Sequence, residues 1–436
     1  MLRKSICYLV LLGGFYALRA ADEQQLALAL RAHTDFDRVQ QAPLPDLPDT
    51  TRCEQSQAAW LPVATPADLA QAHFQKGYCA LAEATITRSP AEFVNAAGEF
   101  DESAKAWPAR AFRPGRNRTP EPAPSPLRLL APIARLEAAV LSAGNEDPHA
   151  DAAELEHARA AIVPALDHPV CANELMPVPA CLSLLDTSRL WLGWIALQHD
   201  DLYEAADELS TLPDSGWAHY ASGKHAFHDH QFAEAAAQFA RAMEVWTRAQ
   251  SDSSASLAAR LSPQPDRAKA LEDWGGAQLL AGDLAPAIST LDSAIKTAPN
   301  PARALFLRAR AEELAGRMEP AMADYNMAAR TALAHAQDLA SGEAHLYRGI
   351  LLYRRKDFEH AENEFASALN FEIPNELKPD AIAWRHMATV AGGACGSRAM
   401  LEDSLGAVSP YFPKDEARAV AASCPLTSAT VTKAAI

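Results

Sequence analysis

Residues 268–299 read AKALEDWGGAQLLAGDLAPAISTLDSAIKTAP, and this stretch decides the fold. Its second half places Ala287, Leu291 and Ala294 at the spacing i, i+4, i+7, so these three side chains share one face of a helix. Gly282 divides the stretch into two apolar halves. Because glycine permits a left-handed turn, the stretch predicts two helices joined by a tight connection.

The same spacing recurs five times along the chain. The sets are Ala205-Leu209-Leu212, Ala235-Phe239-Ala242, Ala287-Leu291-Ala294, Ala321-Tyr325-Ala328 and Ala361-Phe365-Ala368. A helix of this kind cannot bury its apolar stripe alone, and the recurrence indicates that the neighbouring repeat covers it. The pattern therefore predicts a stack of helix pairs.

The fullest copy carries further signals when Ala268 is counted as repeat position 1. Gly275 then stands at position 8, Gly282 at position 15 and Pro299 at position 32. This combination resembles the tetratricopeptide repeat (TPR), a helix pair of 34 residues with small residues at positions 8, 20 and 27. The resemblance implies an all-α fold, a right-handed superhelical solenoid of antiparallel helix pairs.

The resemblance covers residues 186–374, with about five repeats whose spacing varies. Ala287 and Ala321 are 34 residues apart, but the next copy follows after 40, and we assign the excess to residues 335–342. Between Ala235 and Ala287 the number of residues beyond the 34-residue period is larger. We expect residues 247–265 to hold a longer helix end and a surface loop.

Outside the array the pattern weakens. Gly77, Phe93, Ala96 and Phe100 fit one degenerate repeat with an insertion of seven residues around Thr85 to Pro90, and proline recurs between residues 108 and 126. The expected organisation is a signal peptide at 1–21, an N-terminal helical region with this repeat and a proline-rich exposed linker at 22–126, an irregular helical region at 127–185, the TPR array at 186–374, capping helices at 375–424 and a flexible tail at 425–436.

The amino terminus has the features of a secretion signal. Arg3 and Lys4 precede an apolar run over residues 6–18, and Ala20 or Ala21 suits cleavage. We therefore expect a periplasmic or secreted protein with no stable membrane span after cleavage. An uncleaved anchor is the alternative.

Six cysteines remain once the signal, with Cys7, is removed. An even number in an exported chain indicates disulfides, and the distribution into three local couples favours Cys53 with Cys79, Cys171 with Cys181, and Cys395 with Cys424. The rival interpretation, a zinc site, requires closely spaced cysteine pairs, which this sequence lacks.

Charge and the resemblance together suggest a binding surface. The formal net charge of −16 makes nucleic acid a poor partner. The resemblance implies a concave groove lined by the first helix of each repeat, and its basic and aromatic side chains would suit a protein or peptide partner, in particular an acidic one. The candidate groove residues are Trp217, Tyr220, Lys224, Phe227, Lys269, Arg303, Phe306, Arg310, Tyr347, Tyr353, Arg354, Trp384 and Arg385. The alternative is that several of them are solvated or structural side chains.

Catalytic signals are weak. The histidines at 219, 225, 228 and 230 could form a surface metal site, but ordinary polar surface is favoured, and we expect neither metal nor cofactor. No H-E-x-x-H, G-x-S-x-G or dinucleotide motif occurs. We therefore expect a non-enzymatic interaction module, with a role such as envelope assembly or secretion. The alternative is a helical-repeat enzyme or glycan-handling protein of the cell envelope.

Overall fold

A computed structural model describes most of the chain. The described residues are 24–40, 50–66, 68–111, 123–143, 152–171, 175–212, 214–251, 261–335, 338–371 and 373–424. The expected signal peptide at 1–21 and the expected tail at 425–436 lie outside them. No helix within these ranges is long and apolar enough to cross a membrane.

The regular structure of the described residues is entirely helical, which confirms the all-α prediction. Short 3-10 helices occupy Leu61–Val63 and Cys395–Ser397. The α-helices are α1 (24–40), α2 (Thr50–Trp60), α3 (Leu69–Thr87), α4 (Pro90–Ala111), α5 (Ser125–Ala143), α6 (Ala152–Asp167), α7 (Val178–Gln198), α8 (Leu202–Leu209), α9 (Gly216–His228), α10 (Phe232–Ser251), α11 (Arg267–Ala281), α12 (Leu284–Thr297), α13 (Ala302–Leu314), α14 (Met318–Ala334), α15 (Asp338–Arg354), α16 (Phe358–Asn370), α17 (Lys378–Ala391), α18 (Arg398–Ser404) and α19 (Lys414–Ser423).

The chain divides into two compact units. The first takes its residues from 1–225 and 241–265, and the second from 226–240 and 266–436, so α9 and α10 contribute to both. In the first unit, consecutive helices pack from α2 to α8. In the second unit, α11 to α16 pack in sequence and α17 to α19 follow in the expected capping region.

In the pairs α11–α12 and α15–α16, a contact between repeat positions 8 and 24 sets the packing of the two helices. A Cβ atom added to Gly275 would lie 2.5 Å from Leu291 Cγ, and one added to Gly349 would lie 2.7 Å from Phe365 Cε1. The large side chain thus rests directly on the glycine backbone. Ala287 and Ala321 are completely buried, as the TPR register predicts.

The turns between paired helices share a left-handed residue at repeat position 15. Gly282 and Gly316 have φ of 87° and 78°, which glycine adopts without steric cost. The same position is occupied by Asp200, His230 and Lys356 in the other pairs, also with positive φ. The turn geometry is therefore imposed by helix packing even where the local sequence disfavours it.

The degenerate repeat is the pair α3 and α4. A Cβ atom on Gly77 would lie 3.0 Å from Phe100 Cε1, so the same glycine–aromatic contact occurs here. Gly77 lies ten residues before the end of α3, against six for Gly275 in α11, and Phe100 lies ten residues into α4, against seven for Leu291 in α12. The seven inserted residues therefore lengthen each helix by about one turn, which preserves the contacting faces.

The prediction of a proline-rich linker over residues 108–126 is wrong at both ends of that range. Helix α4 continues through position 108 to Ala111, and α5 already begins at Ser125. Position 108 therefore does not end α4. Residues 112–122 lie outside the described residues.

Part of the expected surface loop at 247–265 is buried instead. Trp191 Nε1 donates a hydrogen bond to the Leu261 carbonyl oxygen at 2.6 Å, and Trp217 Nε1 donates to that of Pro263 at 2.8 Å. Leu261 is buried. Buried indole N–H groups need acceptors, so the two tryptophans hold residues 261–263 against the first unit.

The three expected disulfides are confirmed. Their Cα–Cα separations are 5.9 Å for Cys53–Cys79, 5.9 Å for Cys171–Cys181 and 5.4 Å for Cys395–Cys424. The first joins α2 to α3, and the last ties the segment after α17 to the end of α19. They cross-link the less regular parts of the chain, where stacking contributes less.

We predict that Gly275→Ala lowers the free energy of unfolding by about 1–3 kcal/mol, because the new methyl group overlaps the Leu291 side chain. The control is Gly98→Ala in α4, where an added Cβ meets nothing within 4 Å. There alanine should raise stability by up to about 1 kcal/mol. Urea unfolding monitored by circular dichroism measures both, and equal effects would contradict the proposed register.

We also predict a pH dependence from Glu137 in α5. One carboxylate oxygen lies 3.5 Å from Arg88 Nη1, and the other has no hydrogen-bond partner among the described residues. Burial raises the pKa of Glu137 to about 7. The folded state therefore takes up this proton before the unfolded state, and stability is lost as the pH rises from about 4.5 through 7.

Relative to Glu137→Gln, the wild-type protein should lose up to about 3 kcal/mol of stability over that range. Urea unfolding at several pH values tests this. Parallel pH profiles for the two proteins would show that Glu137 does not titrate in this way.

Candidate binding face

The candidate site lies in the second unit, on the first helix of each of three repeats. Leu307 of α13 would contact a Cβ on Gly276 of α11 at 3.6 Å, so these helices are direct neighbours. Helices α13 and α15 are joined by the ion pairs described below. We define the binding face as Lys269, Glu272, Asp273 and Leu280 on α11, Arg303, Phe306, Arg310, Glu313 and Leu314 on α13, and Glu343, Tyr347, Tyr353 and Arg354 on α15.

Glu313 is the electrostatic centre of this face. Its carboxylate accepts hydrogen bonds from Arg310 Nη1 at 2.6 Å, Arg354 Nη1 at 2.8 Å and the Tyr325 hydroxyl at 2.9 Å. Glu313 is buried, and its donors come from α13, α14 and α15. One carboxylate therefore holds three helices of two adjacent repeats together.

Aromatic rings support this cluster from below. The Arg310 guanidinium carbon lies 4.3 Å from the centroid of the Tyr347 ring, a cation–π contact. Tyr347 stacks on Tyr325 with centroids 6.3 Å apart, and Phe306 contacts both rings. Burial and the Glu313 carboxylate raise the pKa of Tyr325 well above its ordinary value, so its hydroxyl stays protonated and donates.

The other cations of the face are paired as well. Arg303 Nη1 lies 3.3 Å from a Glu343 carboxylate oxygen, and Lys269 Nζ lies 2.9 Å from Glu272 and 3.4 Å from Asp273. Four cations on the face thus meet four carboxylates, and the surface expected to be basic is balanced in formal charge.

The remaining candidate residues lie elsewhere. Trp217 and Tyr220 pack against Trp246 in the first unit, with ring centroids 5.2 and 5.7 Å away. Lys224 is half-buried on the same helix, α9. Phe227 contacts Phe232 at 5.4 Å in the second unit.

The C-terminal candidates belong mainly to the capping core. The centroid of the Trp384 ring lies 5.3 Å from that of Tyr353 and 5.2 Å from that of Phe412. Burial and the Glu416 carboxylate raise the pKa of Tyr353 to about 12. Arg385 is exposed and lies 3.8 Å from Glu362.

Burial distinguishes four of the aromatic candidates from the charged ones. Trp217, Phe306, Tyr353 and Trp384 are all buried, so we expect them to support the surface rather than contact a partner. Their physical role is core packing, because the first-helix positions next to the groove also face the neighbouring repeat. The role of the whole set in binding stays a prediction.

Sequence reasoning missed the acidic side chains of the face. Glu272, Asp273, Glu313 and Glu343 occupy repeat positions 5, 6, 12 and 2, which are groove positions like those of the chosen cations. Considering acidic as well as basic side chains at these positions would have found them. Tyr325 was recognised only as a core residue, because its hydrogen bond to Glu313 depends on the packing of α14 on α13.

The described residues contain no group of three or more His, Cys, Asp and Glu side chains arranged to hold a metal ion. The chemistry that the binding face offers is ion pairing and hydrogen bonding.

No protein-family model and no curated protein sequence matches the chain. Among solved structures, it is similar to yeast Tom70 at 11% identity and a TM-score of 0.38, with 92% of this chain and 96% of that chain covered. A Rap protein complexed with competence and sporulation factor shows 16% identity and a TM-score of 0.37, covering 58% and 72%. A human IFIT1 dimer with PPP-AAAA shows 11% and 0.36, covering 86% and 77%.

These three are helical-repeat proteins of the TPR type. The packing of adjacent helix pairs described above defines the chain as a TPR-like helical-repeat protein.

We predict that Glu313→Ala lowers the free energy of unfolding by about 3 kcal/mol, because two guanidinium groups and one hydroxyl lose their shared acceptor. The control is Glu319→Ala, which removes an exposed partner of Arg355 and should cost less than about 1 kcal/mol. Urea unfolding measures both. A small effect at Glu313 would show that the cluster does not hold the repeats together.

Proposed function

We propose that this protein is a non-enzymatic interaction module that holds an acidic peptide or protein segment on the binding face of its second unit. The proposal includes export to the periplasm or the cell exterior, where the partner would be found.

The supporting observation is an asymmetry within the ion pairs of the face. The Lys269 side chain is 52% exposed against 13% for Glu272, Arg303 is 52% exposed against 17% for Glu343, and Arg354 is 58% exposed against 5% for Glu313. The cation is thus the outer partner each time. An approaching ligand meets positive charge first, although the formal charges of the face cancel.

The less exposed carboxylates also orient the cations. Arg354 is held by Glu313 and Arg303 by Glu343, so the guanidinium groups lose less conformational freedom when a ligand binds. Each has further N–H donors for a ligand carboxylate. The arrangement favours recognition of acidic side chains or of a free carboxyl terminus.

The covered aromatic rings favour protein binding over glycan handling or catalysis. Phe306 and Tyr325 lie beneath the charged side chains rather than in an open pocket. A sugar-binding site would present such rings to the ligand.

Export is supported by the three disulfides, which are typical of proteins from oxidising compartments. The sequence features of residues 1–21 agree with this location.

We predict that the double variant Lys269→Glu/Arg303→Glu weakens binding of a synthetic peptide rich in glutamate by about tenfold or more, because each reversal replaces attraction by repulsion. Both residues lie in the first turn of their helices, where glutamate is favourable, so the fold should persist. Fluorescence anisotropy at increasing salt concentration measures the affinity, which should fall with salt.

The matched control is Arg355→Glu, an exposed arginine whose partner is Glu319 on α14 rather than a residue of the binding face. It should leave the affinity nearly unchanged. Arg310 is unsuitable for such a test because its reversal would disrupt the Glu313 cluster. Equal binding by the double variant and the wild-type protein would rule out the cations as the recognition surface.

A further inference from the structure

On α11 and α13, the binding face carries two rows of exposed side chains of different character. Lys269 and Arg303 lie near the starts of α11 and α13, at repeat position 2. Leu280 and Leu314 lie near the ends of the same helices, at repeat position 13. The first row is cationic, and the second is apolar.

Helix geometry places the rows on one surface. The two positions are eleven residues apart, which is three helical turns plus roughly 20°, so each leucine lies on the same stripe as the cation of its helix. At a rise of 1.5 Å per residue, the Cα atoms of the two rows are about 16 Å apart.

The leucines are unusual for this position in the fold. Leu280 is 52% exposed and Leu314 is 57% exposed, although the large side chains of the neighbouring helix stripes are buried. They recur at equivalent positions of two adjacent repeats, 34 residues apart. Exposed apolar side chains that recur in register beside charged ones are typical of a binding surface.

Between the rows α11 carries Gly276, which has no side chain, and a Cβ there would meet only Leu307 within 4 Å, at 3.6 Å. The separation of about 16 Å between the rows is larger than the diameter of about 10–12 Å of an α-helix with its side chains, so a helix fits between them.

We infer that the partner segment is an amphipathic helix lying across α11 and α13, with an acidic edge at Lys269 and Arg303 and an apolar edge at Leu280 and Leu314. This inference rests on the proposed function and names the partner's conformation. An extended peptide is less suited, because its successive side chains point to opposite faces. A helix presents both edges to one surface.

The test uses the full mature chain and two synthetic peptides of about 18 residues, which form five helical turns. In the first peptide, glutamate and leucine occupy two separate stripes of the helix. The second has the same composition with the positions permuted so that no stripes form. Fluorescence anisotropy gives the Kd of each, and circular dichroism reports whether the bound peptide becomes helical.

The segregated peptide should bind at least about tenfold more tightly than the permuted one and gain helicity on binding. Leu280→Ser/Leu314→Ser should reduce its affinity by about tenfold or more. The matched control, Leu333→Ser on α14, changes a leucine of similar exposure outside the face and should have no effect.

Equal binding of the two peptides, or full affinity of the Leu280→Ser/Leu314→Ser variant, would overturn the inference. If Lys269→Glu/Arg303→Glu nevertheless weakens the binding of both peptides, the proposed function stands and only the inference of a helical partner is wrong. If neither double variant changes binding, both proposals fail. Self-association in sedimentation velocity that the leucine variant abolishes would instead identify a second copy of this chain as the occupant, and would also overturn the inference.

Discussion

The close approach of the two helices in each repeat is the constraint on which the rest of the structure depends. A large side chain at repeat position 24 rests on a glycine at position 8 in Gly193–Leu209, Gly275–Leu291 and Gly349–Phe365, and alanine takes the place of glycine at Ala309. This contact sets the distance between the helices, and the left-handed turn at position 15 follows from it. Residues such as Lys356 accept that backbone conformation because the packed pair leaves no other path.

A charged contact accompanies the apolar one. Repeat positions 7 and 23 carry a base and an acid in Arg308–Asp324 and Arg348–Glu364, and the lengthened pair α3 and α4 repeats this in Lys76–Glu99. In two of these pairs a histidine three residues before the base, His73 or His345, also reaches the acid at 2.7 Å. These ion pairs flank the contact between positions 8 and 24, where partial burial reduces solvent screening, so they reinforce the register of the helices.

On the binding face, one residue serves both packing and recognition. Glu313 stabilises the packing of two repeats and also holds Arg354 toward solvent, so a structural ion pair prepares a surface for recognition. Four of the aromatic rings that the sequence suggested for ligand contact, those of Trp217, Phe306, Tyr353 and Trp384, lie one layer deeper. They are buried because a ring beside the first-helix backbone gains more by covering the next repeat than by remaining in water.

The sequence by itself determined the helical repeats, their register and the three disulfides, because these depend on local periodicity and on cysteines close together in the chain. It could not decide that the insertion in α3 and α4 extends two helices, or that residues 261–263 are buried under two tryptophans. It also could not decide that each exposed cation of the face pairs with a less exposed carboxylate. Those outcomes belong to the tertiary structure, since they depend on contacts between side chains of different helices, and side-chain burial is settled only when neighbouring repeats stack.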